Sequence, residues 1–151
     1  MSSSNNNRMI CEENLDEELM ADGFFIPKCV DYMASQDIFR DCTPIMRETA
    51  LRLRANGWTF YAVNQRRGRC YYKARVITIP VWAMVKSFSY KRWYVSHEMA
   101  HALAGSGANH GPKFMQALKS ICPAEDIHHE LGYKPRNATN AGIIHPAALD
   151  F

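Results

Sequence analysis

Two histidines four positions apart, inside a segment with a helical pattern, constrain this chain more than any other feature. The segment spans residues 87–105, with a serine at its start and a glycine at its end, as helices often have. Its sequence HEMAH places His97 and His101 one turn apart on the same face, so both imidazoles can point to one position. We interpret the segment as a helix with two candidate metal ligands and an acidic residue, Glu98, beside the first.

This combination of residues matches the chemistry of hydrolytic zinc sites. Zinc prefers nitrogen ligands at about 2.0–2.1 Å in tetrahedral geometry, and a catalytic site keeps one position for water. The metal lowers the pKa of that water to about 7, and a neighbouring carboxylate can accept its proton. The HExxH pattern is interpreted in this way in metalloproteases, which predicts Glu98 as the catalytic residue. The alternative is a helix that carries two histidines without a metal.

A third histidine follows a glycine-rich turn. His110 lies directly after the turn GSGAN, which can fold the chain back so that His110 opens the next helix and faces the first two histidines. The metzincin pattern would need glycine at position 104 and histidine at position 107, where this chain has alanine and glycine. A carboxylate from Glu130 is an alternative third ligand, although a solvated helix face explains that residue equally well.

HEMAHA followed by HGPKF resembles the SprT-like metallopeptidases, the family that includes Spartan. GRCYYKARVITIP is similar to the strand and turn that precede the active-site helix there, so the resemblance covers about residues 44–122. It implies a zincin-like core, one zinc ion held by His97, His101 and His110, and Glu98 as the catalytic glutamate. It also implies a protein substrate, with single-stranded or damaged DNA as a further partner, since relatives act on proteins attached to or gathered on DNA.

The cysteines argue against an additional zinc module. Spartan-type relatives add a zinc ribbon or another DNA-binding tail, but the five cysteines here include no CxxC pair, so we expect a minimal form with free thiols. No apolar run approaches the ~20 residues of a membrane-spanning helix, and the start lacks the order of a secretory signal. We expect an intracellular monomer, cytoplasmic or associated with the nucleoid or nucleus, without a membrane partner.

Positive charge is concentrated in the middle third of the chain. The net charge is +3, yet residues 44–94 hold eleven Lys or Arg against a single glutamate, which gives +10. Within this range Arg66, Arg67 and Arg69 precede two tyrosines, a mixture of cations and aromatic rings found on surfaces that bind nucleic acid. We predict weak binding of nucleic acid by these arginines. The alternative is a solvated hairpin tip.

The remaining pattern predicts an α+β fold with a small antiparallel sheet packed on helices. A helix is predicted over residues 43–57, where a capping threonine and a proline begin it and a glycine ends it. Residues 58–63 and 70–80 are rich in aromatic and β-branched residues, as strands are, and a polar turn separates them. A last helix is predicted between the prolines at 112 and 123.

These elements divide the chain into four parts. We predict a disordered tail at 1–8, an acidic segment at 9–43, the metallopeptidase core at 44–122 and an extension at 123–151. A chain of 151 residues is long enough to bury a core of its own.

Different classes of function remain open at this stage. The first is a zinc-dependent endopeptidase, and the second is an adaptor that keeps the metal-binding fold for structure and binds nucleic acid or protein. Glu98 favours the enzyme, because an adaptor needs no general base. A hydrolase of a non-peptide bond is a third possibility. We interpret His128 and His129 as surface residues. Three tyrosines could polarise a substrate carbonyl, with packing as the alternative role: Tyr90, Tyr94 and Tyr133.

Overall fold

A computed structural model describes residues 25–132 of the chain. The predicted tail, residues 9–24 of the acidic segment, and the extension from Tyr133 onwards lie outside the described residues. The helices are α1 (Tyr32–Ser35), α2 (Pro44–Ala55), α3 (Val81–Met84), α4 (Phe88–Ala104), α5 (Pro112–Ile121) and α6 (His128–Gly132), with a short 3₁₀ helix at Ala124–Asp126. The strands are β1 (Thr59–Val63), β2 (Arg69–Tyr71) and β3 (Val76–Pro80). Among the helices of this range, none is long and apolar enough to cross a membrane.

The helix ends follow from capping residues that the sequence displays. The Thr43 hydroxyl accepts a hydrogen bond from the Met46 amide at the start of α2, and the Ser87 hydroxyl accepts one from the Tyr90 amide at the start of α4. Each cap satisfies an amide that has no partner within its helix. Helix α4 ends at Gly105, whose φ of 95° is strained for other residues. The predicted limits of these helices are therefore confirmed.

The sheet has three strands, with β3 between β1 and β2. Strands β2 and β3 are antiparallel, with Cys70 opposite Ile77. Strands β1 and β3 are parallel, with Phe60 opposite Ile77. The α+β class with a small sheet is confirmed, but the prediction of an antiparallel sheet is wrong for one of the two strand pairs.

The position of the tight turn explains why the sheet is mixed. The sequence pattern placed a turn at 64–69 and one strand at 70–80, whereas the tight turn covers 72–75 and divides that strand into β2 and β3. Arg75 adopts a left-handed φ of 58°, and its guanidinium donates to the Asn56 carbonyl at 2.6 Å. The turn contains neither glycine nor proline, so sequence rules for turns do not detect it.

Strand β3 and helix α4 form the centre of the core. All five residues of β3 are buried, and α4 is buried continuously over residues 93–100. Helix α2 contributes Met46 and Leu53 to the same core. Two apolar residues of these helices, Ile45 and Leu103, lie outside the core, with exposed fractions of 56% and 47%.

Helix α4 also carries two basic side chains that hold the segments flanking the predicted core. The Lys91 ammonium donates to the carbonyls of Asp37 at 3.0 Å and Arg40 at 2.5 Å. The Arg92 guanidinium donates through Nε and Nη2 to the carboxylate of Asp126, at 2.8 and 3.2 Å. The second contact fixes the short helices after α5 against α4.

Candidate functional site

The three predicted histidine ligands come together between α4 and the start of α5. His97 and His101 project from α4, and His110 lies in the turn that precedes α5. One ring nitrogen from each histidine lies within 4.8 Å of the other two. The Nε2 atoms of His97 and His110 are 3.3 Å apart. The group could therefore hold a metal ion.

The turn between α4 and α5 needs backbone conformations that glycine adopts readily. Gly105 and Gly107 both have a φ of 95°, and Asn109 has a φ of 51°. A Cβ at either glycine would meet no atom within 4 Å, so backbone conformation and not lack of space favours glycine there. This turn reverses the chain over a few residues and returns His110 to the face of α4 that carries the other two histidines.

The Phe114 ring of α5 packs against all three imidazoles. Its ring is fully buried, and its centroid lies 4.9 Å from that of His97, 4.6 Å from that of His101 and 4.9 Å from that of His110. Aromatic pairs at such separations have favourable edge-to-face or tilted contacts. Phe114 thus restricts the orientation of all three rings at once.

Glu130 of α6 orients the first histidine. Its Oε1 accepts a hydrogen bond from Nδ1 of His97 at 2.8 Å and from the indole Nε1 of Trp93 at 2.9 Å. With Nδ1 as the donor, a neutral His97 has its lone pair on Nε2, which faces His110. Burial raises the pKa of the Glu130 carboxyl, but the hydrogen bonds from His97 and Trp93 outweigh this effect and hold it below its ordinary value.

Glu130 therefore does not lie on a solvated helix face, and its carboxylate is not part of the group of converging nitrogens. Its side chain is 9% exposed, and it contacts the ring edge of His97 that points away from that group. Sequence spacing could not reveal this contact, because it depends on how residues 124–132 pack on α4. The signal in the sequence was limited to an acidic residue after the pair of histidines His128 and His129.

Burial keeps the other two imidazoles neutral. The pKa of His101 is lowered to about 3, first by burial and then by the nearby His97 and His110. Burial also lowers the pKa of His110, with a further contribution from His97. Neutral imidazoles provide the lone pairs that a metal ion requires.

Glu98 is buried beside the histidine group, with a residue exposure of 6%. Burial raises the pKa of its carboxyl to about 7, against the opposing effects of His97 and Arg69. A carboxyl group with a pKa near the working pH can both accept and return a proton. The side chain borders the same cleft as the three histidines.

This cleft has a volume of about 690 Å³ and also contains the predicted arginine cluster. Arg66, Arg67 and Arg69 line it together with Glu98 and the three histidines. Tyr90 and Tyr94 border it as well, whereas Tyr133 lies outside the described residues. The arginines therefore share the cleft of the candidate metal site. Their binding of nucleic acid stays a prediction.

Backbone contacts fix the segment that carries these arginines. The Trp82 indole donates to the Arg66 carbonyl at 2.8 Å, and the Gly68 amide donates to the Tyr94 hydroxyl at 2.9 Å. A Cβ at Gly68 would lie 2.3 Å from the Thr78 carbonyl oxygen, so the close approach requires glycine. The segment is anchored to β3, α3 and α4.

The other two histidines within residues 25–132, His128 and His129, form separate contacts. His129 Nε2 lies 2.9 Å from the Ser89 hydroxyl, and His128 Nδ1 lies 3.0 Å from the Glu125 carbonyl oxygen. Neither belongs to the group of converging nitrogens found within the described residues. Both are partly buried and not simply surface residues.

No protein-family model, no curated protein and no solved structure matches this chain.

Proposed function

We propose that this chain is a zinc-dependent endopeptidase of the SprT-like type. The observation that carries the proposal is the convergence of three imidazole nitrogens in a cleft that a buried glutamate also borders. The two HExxH histidines provide two of these nitrogens, and the histidine of HGPKF provides the third. The resemblance of these motifs to the SprT-like family supports the same proposal.

The donor set fits a zinc ion. A tetrahedral site with zinc–nitrogen distances of about 2.0–2.1 Å places its nitrogen ligands about 3.3–3.4 Å apart. The separation of 3.3 Å between Nε2 of His97 and Nε2 of His110 agrees with this geometry. The Glu130 carboxylate against Nδ1 of His97 is the kind of outer contact that ligating histidines usually make. A zinc ion bound there would polarise a carbonyl group and lower the pKa of water.

Glu98 is the proton carrier in this proposal. It accepts a proton from the attacking water, whose oxygen forms a bond to the carbonyl carbon of the substrate. It then delivers that proton to the amide nitrogen as the C–N bond breaks, which yields a carboxylic acid and an amine. Its position suits this cycle, because the buried side chain borders the same cleft as the three histidines.

The sheet offers a position for the peptide. Strand β2 lies at the edge of the described sheet, and its residues Arg69 and Cys70 line the cleft. An extended peptide can lie along such an edge and form main-chain hydrogen bonds with it. A substrate bound in this way would lie in the cleft that Glu98 and the histidines line.

Two measurements on purified protein test the proposal. We expect stoichiometric zinc by elemental analysis and cleavage of a denatured protein substrate. Glu98→Gln should retain zinc but cleave about 10²–10⁴-fold more slowly, since the amide cannot accept the proton. Glu48→Gln is the matched control, because Glu48 is exposed on α2 and outside the cleft.

The outcomes also separate the enzyme from the alternative adaptor. Equal cleavage by Glu98→Gln and the unsubstituted protein would refute the assigned mechanism. Bound zinc without any cleavage would instead favour a metal-binding adaptor. Adding single-stranded DNA to the same assay tests whether DNA-associated proteins are the substrates, as the resemblance implies.

A further inference from the structure

The cleft is strongly basic in its composition. Three of its lining residues are arginines, Arg66, Arg67 and Arg69, and among the described residues that border it Glu98 is the one acidic side chain. Glu98 is buried, whereas Arg66 and Arg67 are exposed. A ligand that enters the cleft from solvent therefore meets exposed positive charge on the same lining as the histidines. Clefts lined by charge of one sign concentrate ligands of the opposite sign.

These charges sit on a positioned backbone. The hydrogen bonds from the Trp82 indole to the Arg66 carbonyl and from the Gly68 amide to the Tyr94 hydroxyl attach the segment at two points. A third bond, from the Arg69 amide to the Thr78 hydroxyl at 2.9 Å, attaches it to β3. Because the backbone is already fixed, less conformational freedom is lost when these side chains pair with a ligand, and this favours selectivity.

We propose that this cleft selects peptide segments with acidic side chains next to the bond presented to the histidines, with Arg66, Arg67 and Arg69 as the residues that determine this specificity. The proposal rests on the proposed peptidase function for its cleavage step, whereas its binding step does not depend on turnover. The arginines and the histidines line one cleft, so a peptide that extends along this cleft from the histidines comes close to the arginines. Carboxylates of Asp and Glu are the groups on a peptide that pair with guanidinium.

The placement of the arginines favours a peptide over a nucleic acid. All three lie within the four residues 66–69, so their charges form one short cluster. Binding of single strands without sequence preference uses a basic groove that follows the backbone over ~4–16 nucleotides. A compact cluster suits one or two carboxylates better than a long polyanion.

The test uses the full chain loaded with zinc and a matched pair of quenched-fluorescent peptides. The two peptides differ only in carrying Glu or Gln at alternate positions. We expect kcat/KM for the Glu peptide to exceed that for the Gln peptide on the order of 3- to 30-fold, as one or two exposed ion pairs would give. The preference should decrease at high salt.

Two variants with the same change in charge show where the preference originates. Arg66→Gln/Arg67→Gln should remove most of the Glu preference. Arg47→Gln/Arg52→Gln should keep it, because these arginines are exposed on α2 and do not line the cleft. Arg69 is left unchanged, since its charge also affects the pKa of Glu98.

A binding measurement separates failure of this inference from failure of the proposed function. Fluorescence anisotropy with the zinc-loaded Glu98→Gln variant reports affinity for both peptides without turnover. If the arginines confer a preference for the Glu peptide but the unsubstituted protein cleaves neither peptide, the peptidase function is refuted and the selection of acidic peptides is supported. Cleavage and binding of both peptides to the same extent would refute the selection of acidic peptides and leave the peptidase function standing. Arginine-dependent binding of single-stranded DNA, with no difference between the peptides, would show that nucleic acid is the occupant.

Discussion

At the scale of single residues, Glu130 determines which ring nitrogen of His97 faces the other histidines. Its carboxylate holds Nδ1 of His97, which leaves Nε2 as the atom that faces His110. The same carboxylate accepts from the buried Trp93 indole, so its own position is fixed. Carboxylates placed in this way commonly change metal affinity by about 10–100-fold when they are removed.

We therefore expect Glu130→Ala to weaken zinc binding about 10- to 100-fold. Glu130→Gln should lose less, because its amide oxygen can still accept from Nδ1 of His97. Competition with a chromogenic chelator measures this affinity without any assay of activity. The matched control is Glu125→Gln, an exposed carboxylate in the same segment. An unchanged affinity in Glu130→Ala would show that the contact with His97 has no role in metal binding.

Gly68 has a separate role at this scale, in the segment that carries the arginines. A Cβ there would meet the backbone carbonyl of Thr78 at 2.3 Å and the Tyr94 ring at 3.0 Å. We expect Gly68→Ala to lower the free energy of unfolding by about 1–3 kcal/mol, as overpacking of a tight site does. Gly111→Ala should cost less, because its nearest contact would be 3.3 Å. Urea unfolding measures both, and equal stabilities would contradict the close packing at Gly68.

At the scale of elements, helix α4 contacts the other parts of the described structure through its buried face and through its polar side chains. Its buried face packs on the sheet and on α5, and it carries two of the three histidines that could hold a metal ion. Arg92 fixes the chain after α5 through the buried carboxylate of Asp126, which also accepts from the Ser89 hydroxyl at 2.7 Å. This attachment brings Glu130 to His97.

We expect loss of this attachment to affect stability and metal binding together. Asp126→Ala should lower the free energy of unfolding of the metal-free protein by about 3 kcal/mol, because it leaves the Arg92 guanidinium without its acidic partner. Zinc affinity should fall as well, through Glu130. Asp37→Ala removes the exposed ion pair with Arg40 and should cost about 0–1 kcal/mol. Similar losses in both variants would contradict the role given to Asp126.

The three long helices, α2, α4 and α5, were predictable from the sequence to within a residue or two, whereas the sheet was not. Thr43, Ser87 and Gly105 mark helix ends through local hydrogen bonds or backbone conformation, so short sequence patterns contain the information. Strand order depends on a turn at 72–75 that an arginine in left-handed conformation completes. That conformation is held by a contact with Asn56, which is distant in sequence.

At the scale of the whole molecule, the candidate site joins segments that are far apart in the chain. The histidines could be chosen from the sequence because their spacing on one helix and after one turn is local. The contact between Glu130 and His97 could not be predicted from the sequence, and neither could the cleft that the histidines share with Arg66 and Arg67. Both depend on tertiary packing. A short motif thus predicted the group of three histidines but not the residues that orient them.

The central claim is that His97, His101 and His110 hold one zinc ion, and metal content tests it most directly. Elemental analysis should be made on the purified protein, on His110→Ala, and on His128→Ala as the control, after supply of zinc and removal of excess. His128 is outside the converging group, so its variant should match the unsubstituted protein. We expect one zinc per chain in these two proteins and loss of most of it in His110→Ala, since two ligands seldom retain the ion. Equal zinc in all three proteins, or none in any of them, would contradict the account.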